Sequence, residues 1–159
     1  MSVLIQGSQL RSLLLGVRVH RATATLPQST DQAIFTVAGG RVLITSLIGQ
    51  VTTVIGTGTT PDLKIKFNPT ATGADFDLCT AVSISADAVG QAYYIAGNVA
   101  SPGALLVGGA VGQANPVFAS PLALPAGDIE IDIDESVTGS VSWTLTYIPL
   151  DDGASVVAA

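Results

Sequence analysis

The amino-acid sequence predicts an all-β fold: a single β-sandwich or jelly-roll-like domain of about eight strands, with an N-terminal arm. Three observations carry this. Residues 140–149, S-V-S-W-T-L-T-Y-I-P, alternate Val141, Trp143, Leu145 and Tyr147 with Ser140, Ser142, Thr144 and Thr146, a period of two that puts the apolar set on one face of a strand. Residues 128–134, D-I-E-I-D-I-D, repeat the pattern with three isoleucines against four carboxylates. The rest of the chain is built largely from Ala, Val, Thr, Ser and Gly, which is strand and turn material, whereas long helices draw on Glu, Lys, Gln and Arg. Between the two alternating runs, E-S-V-T-G ends in Gly139, which can take a positive φ, so the runs are read as an antiparallel hairpin. Trp143, the only tryptophan, is the expected core anchor.

Taken in order, residues 1–22 form an N-terminal arm or edge strand. Leu10, Leu13 and Leu14 would share a helical face, but Gly7 and Gly16 weaken a helix, and V-R-V-H-R reads better as a strand. The sandwich is assigned to residues 23–150. Its strands begin at 33–37, turn at Gly39-Gly40 into 41–46, and continue along an apolar run to 55 that is long or bent at Gly49. Residues 63–67 alternate Leu63, Ile65 and Phe67 with Lys64 and Lys66, giving a strand with a basic outer face. Further strands are expected at 76–86, 91–96, 104–107 and, more weakly, 117–124, with loops at 56–61, 68–75 and 108–116. Short strands at regular spacing with turn signals between them favour a sandwich or jelly roll. Residues 151–159 carry no period and read as an extended tail. At 159 residues, one such domain buries roughly 70% of the surface of its unfolded chain.

The charge content is low: six basic and twelve acidic residues, with a mean hydropathy of +0.55. A surface so poor in charge tends to associate, which points to a homo-oligomer. The net charge of −6 argues against a nucleic-acid partner, because neutralising phosphates needs a basic face. Arg11, Arg18, Arg21 and Arg41 lie in the first 41 residues, whereas residues 128–152 hold seven carboxylates and no base. This polarity suits solubility, or head-to-tail contact between subunits. For the latter the interface candidates are Arg11, Arg18 and Arg21 on one side and Asp128, Glu130, Asp132 and Asp134 on the other. No secretory signal or transmembrane helix is read in the sequence, and no membrane partner is expected.

Chemistry-bearing motifs are scarce. His20, the single histidine, sits between Arg18 and Arg21, whose charges disfavour the imidazolium that a Ser-His-Asp triad must stabilise. The acidic run is the best metal candidate, yet alternate carboxylates on a strand stand about 7 Å apart and one ion does not bridge them all. It reads first as a solvated strand face and second as a docking face for a basic neighbour. The glycine-rich stretches lack phosphate-loop and dinucleotide spacing, and Asn68-Pro69-Thr70 has proline where a glycosylation acceptor cannot. Cys79 reads as a small core residue. Tyr93 and Tyr94 should point to opposite sheet faces, one for the core and one for an exterior contact. No catalytic residue, metal or cofactor is assigned.

Two segments, I-F-T-V-A-G-G-R-V-L-I-T-S-L-I-G-Q-V-T-T (34–53) and W-T-L-T-Y-I-P-L-D-D-G-A-S-V-V-A-A (143–159), resemble small virion structural proteins of tailed bacteriophages. The resemblance covers the chain from about Ala33 to its end and leaves the arm uncovered. It implies a capsid decoration or cement protein, often a trimer, that is made in the host cytoplasm and seated on the capsid exterior against the major capsid protein. The alternative from another class is a tail- or fibre-associated binding module contacting a host glycan or receptor. A cell-wall hydrolase would need two carboxylates about 5–10 Å apart in a cleft, which the acidic run only mimics.

Overall fold

The structure, a computed structural model, describes residues 7–57, 60–95, 106–108 and 121–159. Its order is α1 (Gly7–Leu15), β1 (Val17–Thr25), β2 (Asp31–Ala38), β3 (Val42–Thr53), β4 (Asp62–Pro69), β5 (Phe76–Asp77), β6 (Val82–Ser83), β7 (Ala92–Tyr94), β8 (Leu106–Gly108), β9 (Leu122–Leu124), β10 (Gly127–Ile133), β11 (Ser140–Pro149) and β12 (Ser155–Ala158). The first sheet runs β1-β11-β3-β7-β8, with β9 also on β3. The second runs β12-β2-β10-β4-β5, with β6 also on β4. All pairings are antiparallel. The predicted all-β sandwich is the observed fold.

The pairs are nested in sequence. β4 pairs β5, β3 pairs β7 outside them, β2 pairs β10 outside those, and β1 pairs β11 outermost. One antiparallel ribbon rolled onto itself gives this order, which is that of an eight-stranded jelly roll. β12 then widens the second sheet beyond β2.

That nesting overturns the hairpin. β10 lies between β2 and β4 in the second sheet, and β11 lies between β1 and β3 in the first. Five linker residues reach up to about 17 Å, enough to cross the roughly 10 Å between stacked sheets. A period of two identifies a strand and its buried face but not its partner. The linker is held at the sandwich end by Gly56 N–H to Thr138 O (3.0 Å), Leu26 N–H to Gly139 O (3.1 Å) and Gln28 Nε2 to Val137 O (2.8 Å). Gly139 does adopt positive φ, +132°.

Residues 76–86 also differ from expectation. They form two short pieces, β5 and β6, because consecutive Leu78 and Cys79 both turn into the core and break the alternation. Leu78 N–H donates to Ile65 O (2.8 Å), and Cys79 Sγ accepts from Ile65 N–H (3.2 Å) in place of a backbone carbonyl. Burial pushes the Cys79 thiol up to about 11. Gly7 is the first described residue of α1 and Gly16 follows its last, Leu15, so the helix these glycines were expected to weaken is present. β1 extends to Thr25, and the tail contributes β12. The strand at 91–96 is observed as β7, that at 104–107 in part as β8, and that at 117–124 as β9 at its end. Gln91, Ile95 and Pro121 are not strand; Ala96, residues 104–105 and 117–120, and the 108–116 loop beyond Gly108 lie outside the described residues.

The core is closed between the sheets. Ile129, Ile131 and Ile133 of β10 face Val141, Trp143, Leu145 and Tyr147 of β11 within one cluster that includes Phe35, Leu47, Phe67 and Tyr93. Trp143 stands opposite Gly49 on β3, and a Cβ at Gly49 would lie 2.7 Å from the indole ring. Trp143→Ala should cost about 3–5 kcal/mol, as for a large buried aromatic. Gly49→Ala should also lower the urea midpoint, since the ring has to leave its place. An unchanged midpoint for either variant would remove this pair from the core.

β1 is an integral edge strand, paired with β11 from Val17 to Thr25. Truncation before residue 16 should therefore leave a cooperative melt, whereas deleting residues 1–22 should lower the melting temperature strongly. Circular dichroism of the two truncations decides this, and equal melts would refute it.

Candidate functional site

The outer face of the second sheet carries most of the charge. On β10 the carboxylates alternate with buried isoleucines, and the register sets Glu130 beside Lys66 and Asp132 beside Lys64 of β4. Lys66 is the hub: its Nζ contacts Asp31, lies 3.3 Å from Asp75 Oδ2 and 3.7 Å from Glu130 Oε2. Its side chain is only 11% exposed. Burial alone would push its ammonium down; the carboxylates of Asp31, Asp75 and Glu130 outweigh this and hold it above the ordinary lysine value. Lys64 Nζ lies 3.2 Å from Asp77 Oδ1 and 3.3 Å from Asp132 Oδ2. Asn68 Nδ2 donates to Glu130 Oε1 (3.3 Å), and Thr36 Oγ1 to Asp128 Oδ1 (2.6 Å). Asp134 closes the far end, where its Oδ1 accepts from Asp62 N–H (2.8 Å) and its carbonyl from Ser29 Oγ (2.8 Å).

The acidic run is thus neutralised in part within its own chain. Six carboxylates (Asp31, Asp75, Asp77, Asp128, Glu130, Asp132) against two ammonium groups leave the face acidic. Asp31, Asp75 and Asp77 were not singled out from the sequence, because they lie on neighbouring strands and a loop and follow no period with the run.

The arginines lie elsewhere. Arg18 stands on β1 opposite Thr146, exposed and without an ion-pair partner among the described residues. Arg21 is 8% exposed, and its Nε donates to Ala159 O (3.1 Å), tying β1 to the end of β12; burial lowers its pKa. Arg11 belongs to α1, and its side chain lies outside the described residues. One chain does not bring Arg18 and Arg21 to the acidic face, since β1 and β10 belong to different sheets.

The outer face of the first sheet has a different character. Ser142, Thr144 and Thr146 lie in register with Gln50, Ile48 and Ser46 of β3, and Tyr94 of β7 follows beside Ile48. Tyr93 points inward and is buried, while Tyr94 is half-buried on the outside, as the sequence predicts. The Tyr93 hydroxyl donates to Asp87 Oδ2 (2.6 Å); burial pushes both groups up. His20 is exposed with Nδ1 3.2 Å from Thr144 Oγ1, and among the described residues no carboxylate orients it. A triad needs that third group.

At one end of the sandwich Arg41 clamps Asp151, Nε to Oδ2 at 3.0 Å and Nη2 to Oδ1 at 2.9 Å, with Arg41 N–H also donating to Oδ2 at 2.7 Å. These bonds hold the Asp151 carboxyl down at about 2. A depressed carboxylate stabilises the fold above its unfolded value, near 3.9, and that contribution is lost as pH falls through about 2.

Among the described residues no group of three or more His, Cys, Asp or Glu side chains is arranged to hold a metal ion, and no helix is long and apolar enough to cross a membrane. The class defined by fold and surface is a jelly-roll sandwich with one charged and one hydroxyl-rich face. No family model, curated protein or solved structure matches the chain.

Lys66→Ala leaves Asp31, Asp75 and Glu130 facing one another. It should cost about 1.5–3 kcal/mol, the range for hydrogen bonds to a charged group, and less in molar salt, where repulsion is screened. Chemical denaturation in urea at two salt concentrations checks this; a neutral variant would mean the ladder contributes nothing to stability.

Proposed function

We propose that the chain is a non-enzymatic structural protein of a tailed-phage virion. It acts as a homo-oligomer, a trimer before any other, seated on the capsid exterior against the major capsid protein, where it stabilises or decorates the shell. The observation that carries this reading is the nested strand order. Eight-stranded jelly rolls recur in viral capsid proteins, although lectins and cupins use them too, so the order narrows the class and the surface has to choose within it. Exposed Leu10, Leu14, Leu15, Ile148 and Leu150 favour association. The acidic second face and the net charge of −6 disfavour nucleic acid. The resemblance of residues 34–53 and 143–159 to small phage virion proteins points the same way.

A second reading has one specific observation behind it. Half-buried Tyr94 lies on a nearly uncharged sheet face beside Ile48, Gln50 and a row of hydroxyls, a surface on which a neutral sugar ring could stack and hydrogen-bond. This is the receptor- or glycan-binding module. Co-sedimentation of the purified protein with expanded empty capsids separates the two. Saturable binding at a fixed ratio per capsid protein is expected. Absence of binding at saturating concentration, together with binding to host cells that Tyr94→Ala abolishes, would replace the first reading with the second.

A further inference from the structure

The described residues have ten exposed large apolar side chains, and five of them (Leu10, Leu14, Leu15, Ile148 and Leu150) come from two short segments. The fold joins those segments. Val17 pairs with Tyr147, and Gly16 is packed so closely that a Cβ there would lie 2.6 Å from Tyr147 O and 3.3 Å from Ile148 Cγ1. Gly16 also has φ +87°, which a side chain would resist. The root of α1 is therefore set against the end of β11. The helix has nine residues, and Leu14 is 72% exposed. Helices this short are marginal in water without a packed face, so the patch calls for a cover.

The rim says what the cover is. Arg18 lies two positions before Ile148 along β11, opposite Thr146, and Asp152 lies two positions after Leu150. Both are exposed, and neither has an ion-pair partner among the described residues. Arg41 and Asp151 beside them are already paired with each other. The patch is thus apolar in the middle, with one unpaired cation on one flank and one unpaired anion on the other. Such a surface complements another copy of itself: the cationic flank of one meets the anionic flank of the next while the leucines close between them.

We propose that this patch is the contact between copies of the chain, with Arg18 of one copy facing Asp152 of the next. The inference rests on the reading that the chain self-associates and names the surface by which it does so. It differs from pairing of the arginines with the acidic sheet face, whose carboxylates are engaged with Lys64, Lys66, Asn68 and Thr36.

The test is sedimentation velocity of the full chain over a micromolar concentration range. The unsubstituted protein should show a concentration-dependent oligomer, whose mass tells two-fold from three-fold closure. Leu14→Asp should shift it to monomer. Arg18→Asp and Asp152→Arg should each weaken association by roughly threefold to tenfold, and the double reversal should restore it. A monomer at every concentration, or an oligomer indifferent to all of these substitutions, overturns the proposal. An oligomer that obeys them yet fails to co-sediment with capsids overturns the virion reading alone, and a chain that is monomeric in solution yet binds capsids does the reverse.

Discussion

The first sheet depends on a residue with no side chain. Gly49 stands in register between Trp143 on β11 and Tyr93 on β7, and the two rings meet across it with centroids 6.4 Å apart. Two large rings on the strands either side of β3 need depth to lie down, and a bare Cα between them provides it. Shifting β11 or β7 by one residue would turn Trp143 or Tyr93 to the outer face. The row therefore fixes register across the middle of the sheet, and β1 inherits its position from β11. The indole N–H of Trp143 has no acceptor among the described residues, so the residue is held by packing, not by a hydrogen bond.

The two outer faces solve the problem of exposed strand surface in different ways. On the second sheet, lysines and carboxylates at matching periods pair across β4 and β10, and the surplus of carboxylates keeps the face hydrated. On the first, hydroxyls bond to the backbone: Thr45 Oγ1 donates to Thr146 O and Thr52 Oγ1 to Ser140 O, each at 3.1 Å. A face of that kind tolerates close approach by a neutral surface, whereas the charged face resists any neighbour lacking cations. The charged second sheet is thus the less favourable of the two faces for a neutral neighbour.

Strands and buried faces were legible in the sequence because alternation reports burial directly. Ile129 to Ile133 and Val141 to Tyr147 all point inward as their spacing requires. Partnership was not legible, because the same alternation serves a hairpin and a crossing between sheets alike. One clue was available. The K-I-K of residues 64–66 and the E-I-D of 130–132 have the same period and opposite charge, which is what cross-strand neighbours show, and they are neighbours in the fold. Where alternation fails, at Leu78 and Cys79, a single strand was expected and two fragments are found. α1 has a weak sequence signal because glycine disfavours helix, yet Gly16 stands just past Leu15 with positive φ, where it ends the helix instead of breaking it. The unpaired state of Arg18 and Asp152 had no sequence signal, since it depends on which other charges the fold brings near them.

The nesting of the ribbon also explains why the apolar patch lies where it does. In a jelly roll the outermost pair joins the first strand to the last principal one, here β1 to β11, so the start of β1 and the end of β11 lie on the same side of the molecule. Two intrachain ties lock that side: Arg21 to Ala159 O, and Arg41 to Asp151. Past β11 the chain returns to the second sheet as β12, whereas α1 stands before β1 and belongs to neither sheet. Ala154 and Val156 join the core on that return, while Leu14 and Ile148 stay on the outside. Exposure of Leu14 and Ile148 is thus a consequence of how the ribbon closes, and any surface that covers them has to approach from outside the sandwich.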